Sequence, residues 1–187
     1  LVLKQDGTVW AWGLNWQGQL GDGSTEHRYA PVQLTSLGGV AAIAAGESHS
    51  LALKSDGTVW AWGSNDHGQL GDGGTTSRNT PARIAGLDNA IAIAAGRTHN
   101  LALKQDGSVW AWGSNVYRQI GDGTAVDRLL PVQVTGIGGV SAIAAGDGAS
   151  MALDQDGSVW TWGTVSIGQS GVPVQPDAPG DIIAISA

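Results

Sequence analysis

Residues 51 to 63 read LALKSDGTVWAWG, and the stretch returns at a fixed spacing of 50 residues. Leu1–Gly13 is LVLKQDGTVWAWG, Leu101–Gly113 is LALKQDGSVWAWG and Met151–Gly163 is MALDQDGSVWTWG. A period of this length is the mark of a propeller, solenoid or array built from one repeated supersecondary unit. Within the stretch, Leu51 and Leu53 alternate with small or polar neighbours, and Asp56-Gly57 separates them from the β-prone run Thr58–Trp62. An Asp-Gly pair between two such runs is a strong hairpin signal, and the turn it predicts is type I′, with both central residues at positive φ. Working outward, Val40–Ala45 (VAAIAA) precedes the hairpin as a short apolar run, and Pro81 opens another short strand after the polar loop NDHGQLGDGGTTSRNT. Each unit thus supplies four short strands, and no segment longer than a turn carries helical periodicity.

These spacings predict an all-β protein, a β-propeller of radially arranged four-stranded antiparallel blades with four repeats present. The chain is a single repeat array over 1–187, with repeats at 1–50, 51–100, 101–150 and 151–187. Innermost strands are expected at Val40–Ala45, Ile91–Ala95, Val140–Ala145 and Ile183–Ala187, where small residues allow crowding at the axis. The tryptophans come in pairs two apart (Trp10/Trp12, Trp60/Trp62, Trp110/Trp112, Trp160/Trp162) and so share one strand face. Their recurrence in every unit favours stacking between blades over a carbohydrate-binding platform.

Composition narrows the function classes. The 187 residues include 30 Gly, as many tight turns require, and no Cys, which excludes disulfides, thiol catalysis and Cys-ligated zinc. A net charge of −7, with nine basic residues scattered over the repeats, argues against a nucleic-acid partner. No apolar run is long enough to insert in a membrane. A cysteine-free repeat protein suits an exposed or oxidising location, and an extracellular or cell-surface setting is expected. The chain begins inside a repeat, so it is expected to be a piece of something longer.

The pattern G-x-x-H-S-L-A-L-x-x-D-G-x-V-W-x-W-G-x-N-x-x-G-Q-L-G-D-G runs from Gly46 to Gly73 and, slightly altered, from Gly96 to Gly123. It resembles the regulator of chromosome condensation repeat, and the resemblance covers essentially the whole chain. That family implies a propeller usually of seven four-stranded blades, closed by strands from both chain ends. Its founding member is a chromatin-bound nucleotide exchange factor for a small GTPase, and bacterial relatives include a secreted propeller that inhibits β-lactamases. The near-identity of the first three repeats is most like the bacterial arrays. The fourth repeat, which replaces the Gly-Asp-Gly loop by Gln169-Ser170-Gly171-Val172-Pro173, is similar to the inhibitor's blades.

No residue set assembles into a catalytic centre. Ser48-His49-Ser50 lie on one strand with neighbours on opposite faces, and no third group orients the His. His49 and His99 share a repeat position that is Ala149 in the last unit, which breaks any metal ring; the resemblance implies that this His caps the turn before the second strand. The Gly-Asp-Gly loops lack the series of calcium or phosphate sites and read as tight turns whose Asp accepts backbone N–H groups. Asn15, Asn65 and Asn115, and Gln19, Gln69, Gln119 and Gln169, read as turn-satisfying amides. No cofactor is expected.

Positions that differ between matched copies carry the rest. Trp16-Gln17 becomes Asp66-His67, Val116-Tyr117 and Ser166-Ile167; Glu26-His27-Arg28-Tyr29 becomes Thr76-Ser77-Arg78-Asn79 and Val126-Asp127-Arg128-Leu129; Glu47-Ser48 becomes Arg97-Thr98 and Asp147-Gly148. Arg118 stands where Gly18 and Gly68 do, which predicts local strain if those glycines need positive φ. Trp16, His27, Arg28, Tyr29, His67, Arg78, Tyr117, Arg118 and Arg128 are the candidate partner-binding residues, being of types found at interface hot spots or in variable loops. Drift of an unconstrained surface is the competing reading. The first expectation is a non-enzymatic protein–protein interaction module; the alternatives are a β-lactamase-type enzyme inhibitor and a guanine nucleotide exchange factor-like regulator. Closure leaves three outcomes open: a strained four-bladed ring, an open half-propeller, or chains that self-associate to complete a larger ring. A piece of a larger propeller or a homo-oligomer is favoured, because an exposed apolar edge such as IIAISA invites pairing.

Overall fold

The computed structural model describes residues 1–165, 168–176 and 182–187. It is built of antiparallel sheets in chain order, with no helix among the described residues. The first sheet has three strands: β1 (Val2–Leu3), β2 (Val9–Gly13) and β3 (Arg28–Gln33). The second comprises β4 (Val40–Ala45), β5 (His49–Lys54), β6 (Val59–Gly63) and β7 (Arg78–Arg83). The third repeats it with β8 (Ala90–Ala95), β9 (His99–Lys104), β10 (Val109–Gly113) and β11 (Arg128–Gln133). The fourth holds β12 (Val140–Ala145), β13 (Ala149–Asp154), β14 (Val159–Val165) and β15 (Gly168–Val174). Each four-stranded sheet is a simple meander, so the blades begin at 40, 90 and 140 and take their innermost strand from the end of the preceding sequence repeat.

The Asp-Gly hairpins form, but not with the expected turn. Gly7 has φ +76° whereas Asp6 is not in the left-handed region, Gly7 N–H donates to Lys4 O at 3.0 Å and Lys4 N–H to Thr8 O at 2.9 Å. That is a three-residue loop with one left-handed residue, and its equivalents at Gly57, Gly107 and Gly157 are alike. The Asp side chain explains the choice: Asp6 Oδ1 accepts the N–H and hydroxyl of Thr8, whose Oγ1 accepts the Trp10 indole N–H, and Asp56 and Asp106 repeat the set. Lys54 and Lys104 cover Trp60 and Trp110 with their ammonium groups 4.2 Å from the ring centres. In the fourth blade Asp154 stands in the Lys position and accepts the Trp160 indole N–H instead.

Packing between blades follows the chain. Trp62, fully buried, sits with Val9, Ala11, Leu20 and Leu34 of the first blade. Trp112 enters the second blade among Leu51, Val59, Leu70 and Ile84, and Trp162 the third among Leu101, Val109, Ile120 and Val134. The stacked reading of the tryptophans therefore holds, and the described residues form three separate inter-blade cores. Each such ring removes about 150–250 Å² from water. Gly21, at φ +78°, makes room: a Cβ there would stand 2.6 Å from the Trp62 indole nitrogen. Trp12 has no described blade before it and is 44% exposed.

The inner strands β4, β8 and β12 pack on one another as the small residues predicted, but Ile183–Ala187 forms no strand. Its counterparts are held by pairing with β5, β9 and β13, and no described strand lies beside it; Ile183 is 94% exposed. Ala187 still abuts Gly146, at the place where Gly146 itself meets Gly96. Contacts run from β1 to β4, from β4 and β5 to β8, and from β8 and β9 to β12, with no comparable contact from the fourth sheet back to the first among the described elements. The sheets form an open arc, not a closed four-bladed ring.

Candidate functional site

One end of the arc carries the long loops after β2, β6 and β10 together with the turns Gly46–Ser48, Gly96–Thr98 and Gly146–Gly148. A buried amide organises each of these loops. Asn15 Oδ1 accepts the Leu20 N–H at 2.9 Å, while its Nδ2 donates to Ser24 O and Glu26 O at 3.0 and 3.1 Å. Asn65 and Asn115 do the same. Gln19, Gln69 and Gln119 accept the N–H groups of Gln17, His67 and Tyr117. Asp22, Asp72 and Asp122, the centres of the Gly-Asp-Gly loops, accept backbone N–H groups as expected.

Arg28, Arg78 and Arg128 pair with Asp22, Asp72 and Asp122 across the same loop. Burial raises the Asp22 and Asp122 carboxyls, but hydrogen bonds from Ser24 and Arg28, and from Thr124 and Arg128, outweigh it and hold both below the usual carboxylate range. These three arginines therefore build their own loops. In the fourth blade Ser170 takes the Arg78 register opposite Gly163, and the Gly-Asp-Gly loop is gone with it.

Three of the remaining candidates link blades. His67 Nδ1 lies 2.9 Å from Asp127 Oδ2 of the following blade, and Asp127 Oδ1 accepts the Asn115 N–H at 2.7 Å. Tyr117 lies on Gly148 of the fourth blade, where a Cβ would come within 2.8 Å of its ring. Arg118 has φ +63°, matching +77° at Gly18 and Gly68, so the predicted strain is present. It lies against Gly171, whereas Gly18 faces Asn79 and Gly68 faces Leu129.

Tyr29 is 95% exposed, but its counterparts Asn79 and Leu129 pack against the preceding blade. Its exposure thus belongs to the flank of the first sheet, beside Trp12, and not to the loop end. Trp16 differs. It is 72% exposed, and its counterparts Asp66 and Val116 are exposed as well, so the position faces outward in the first three blades. Its ring lies 4.9 Å from that of His27, whose Nδ1 accepts the Asn15 N–H at 3.0 Å. Trp16, Trp12 and Leu14 line a cleft of about 580 Å³ closed by Gln19, Glu47 and His49. Ser166 and Ile167 lie outside the described residues.

His49 and His99 are buried and serve the scaffold, though not as caps of their own turns. His49 Nε2 reaches Asn100 Oδ1 of the next blade at 2.7 Å, and His99 Nε2 reaches Ser150 Oγ at 2.9 Å. Asn100 and Ser150 in turn donate to Gln69 O and Gln119 O, which also accept the indole N–H groups of Trp112 and Trp162. Burial lowers both imidazoles, with the bond that His49 donates to Asn100 opposing it there; His99, which also feels His49, falls to about 3. Their Nδ1 atoms are buried without a partner. No group of three or more His, Asp or Glu side chains able to hold a metal occurs among the described residues.

One of the variable positions pairs across blades in a way the sequence reading did not foresee. Glu47, Arg97 and Asp147, at one repeat position around the axis, form an inter-blade ladder: Arg97 bridges Glu47 through two bonds of 2.9 and 3.2 Å and approaches Asp147 at 3.7 Å. The alternation of sign along the copies was the signal.

The regulator of chromosome condensation (RCC1) repeat model matches three successive stretches, 6–53, 56–103 and 106–153, and a shorter form of it matches 40–69 and 90–119. The chain belongs to the RCC1 repeat family. Human WBSCR16 superposes with a TM-score of 0.81 at 26% identity, over 94% of this chain and 48% of that one. Yeast RCC1 (Prp20), in its complex with Kap60, gives 0.81 at 29% identity over 92% and 45%. Prp20p of Saccharomyces cerevisiae, described with its binding to Gsp1p and histones, gives 0.78 at 28% over 92% and 47%. A zebrafish (Danio rerio) RCC2 homolog is 41% identical over 54 residues, 28% of this chain and 11% of its own length. The RCC1-repeat chain thus spans about half the length of the propellers it superposes on, as an open arc would. These relatives are eukaryotic and lend no support to the expected bacterial source.

Proposed function

We infer that this chain is a non-enzymatic protein-interaction module whose partner docks on the loop end of the arc. The observation that carries the reading is Trp16, held out on an amide-organised loop at a position that faces solvent in the first three blades and changes from Trp to Asp to Val. A rigid scaffold with variable exposed side chains is how binding specificity is usually built. Yeast RCC1 (Prp20), at 29% identity, is bound to Kap60 in its structure, which supports a protein as the class of partner. The net charge of −7 disfavours nucleic acid, and no helix is long and apolar enough to cross a membrane. The cysteine-free composition supports an extracellular or cell-surface setting.

The test is affinity capture from the source organism followed by titration of the captured protein. Trp16→Ala combined with Val116→Ser should weaken binding by about 2 kcal/mol or more, about thirtyfold in Kd. Unchanged affinity, or turnover of a small substrate by the purified chain, overturns the reading. Inhibition of a β-lactamase, or faster nucleotide release from a small GTPase, would identify the partner class as that of one of the two alternatives.

A further inference from the structure

We propose that most copy-to-copy differences at the loop end are adjacency determinants, by which each blade accepts only its correct successor. The contacts common to all interfaces cannot do this. A Trp indole on a Gln carbonyl, and a His on Asn or Ser, recur with little change from interface to interface and would form between any two blades. Near-identical units carry the hazard of mispairing within a chain and swapping between chains.

The differing positions pair across each interface. Between the first and second blades, the Ser77 hydroxyl reaches Gln17 Oε1 at 3.4 Å and Gly18 lies under Asn79. Between the second and third, His67 meets Asp127, Gly68 lies under Leu129 and Glu47 meets Arg97. Between the third and fourth, Tyr117 lies on Gly148, Arg118 lies against Gly171, and Arg97 faces Asp147.

Wrong neighbours are opposed by the same groups. A third blade placed against another third blade sets Arg97 against Arg97. It also brings Thr98 under Tyr117, where even a Cβ on Gly148 would be within 2.8 Å of the ring. It further sets Arg118 under Leu129, whose Cα lies 2.7 Å from the place of a Cβ on Gly68. A second blade against a fourth sets Glu47 against Asp147. Attraction to the right neighbour and repulsion from the wrong one together make specificity. Trp16, Asp66 and Val116, which take no part in these pairs, remain for a partner.

The experiment co-refolds two differently tagged copies of the chain and measures the fraction captured as mixed species. One variant gives the third blade the second's determinants: Arg97→Glu, Tyr117→His, Arg118→Gly and Asp127→Ser. A second, Glu47→Arg with Arg97→Glu and Asp147→Arg, inverts every sign but keeps the alternation. The first should raise the mixed fraction about tenfold over wild type, since contacting pairs couple strongly enough for that. The second should match wild type. An unchanged mixed fraction in the first variant, or a rise in the second equal to that of the first, overturns the proposal. Should the four-site variant lose its β-sheet circular dichroism, a size exchange decides. Gly148→Thr alone should raise the mixed fraction and Gly148→Thr with Tyr117→Ser should restore it; failure to restore overturns the proposal.

Discussion

A repeated residue can be read by comparing its copies, because the backbone around it is held constant. Trp62, Trp112 and Trp162 are fully buried while Trp12 is 44% exposed, so the same substitution should have two outcomes. Trp62→Ala or Trp112→Ala is expected to cost about 3–5 kcal/mol in urea unfolding, the range for emptying an aromatic site in a core. Trp12→Ala should cost well under half of that. Equal losses at all three positions would mean that the rings are not packed between blades. Arg118 offers a second contrast. A left-handed non-glycine residue carries about 1–2 kcal/mol of strain, so Arg118→Gly should leave stability unchanged or raise it by up to about 1 kcal/mol. Gly68→Arg, with the Leu129 Cα only 2.7 Å from the new Cβ, should destabilise clearly. Sequence alone located the strain, because glycine stands at the two matched positions. It did not locate the relief, because Gly171 sits in the shortened fourth repeat, where alignment with Leu129 depends on the ladder register.

At the scale of the element, strands were legible wherever side chains alternate or turn residues force a reversal. That covers the Asp-Gly hairpins, the Trp-x-Trp strands and the Ala-rich inner runs. The turn type was not legible, since Asp6, Asp56 and Asp106 choose it by holding the N–H two residues on, a side-chain effect that dipeptide statistics miss. The pairs His67–Asp127 and Gln17–Ser77 were not legible either, because these loops meet at an offset of 60 and not at the 50-residue repeat. The buried histidines tie neighbouring blades and set a pH response. Because the folded-state pKa of His99 is lowered to about 3, the unfolded chain takes up its proton first, near 6.5. The contribution of neutral His99 is therefore complete above about pH 6.5 and is lost as pH falls towards 3. His49 is shifted in the same direction. Unfolding midpoints should decline from about pH 6 to 4, ahead of carboxylate titration, and His99→Gln should flatten that decline. A decline of unchanged slope in the variant would assign the acid sensitivity to the carboxylates.

For the whole molecule, the three inter-blade cores and the open arc together predict graded stability. Repeat arrays are held by nearest-neighbour interfaces, so a blade flanked on both sides should open less often than one flanked on a single side. The second and third blades are flanked on both sides, whereas β1 has two residues and Ile183–Ala187 has no ladder at all. Native-state hydrogen exchange should therefore find the slowest amides in β5, β6, β9 and β10, intermediate ones in β2 and β14, and fast exchange at Val2, Leu3 and residues 183–187. A four-bladed ring closed on itself would give a different map, with Ile183–Ala187 as protected as β4 and β8 because it would complete the first sheet beside β1. Sedimentation of the 187-residue chain separates the remaining case. If two arcs join into one larger ring, protection at 183–187 should rise with protein concentration in step with the shift from monomer to dimer. Protection that is high at every concentration in a stable monomer would contradict the open arc.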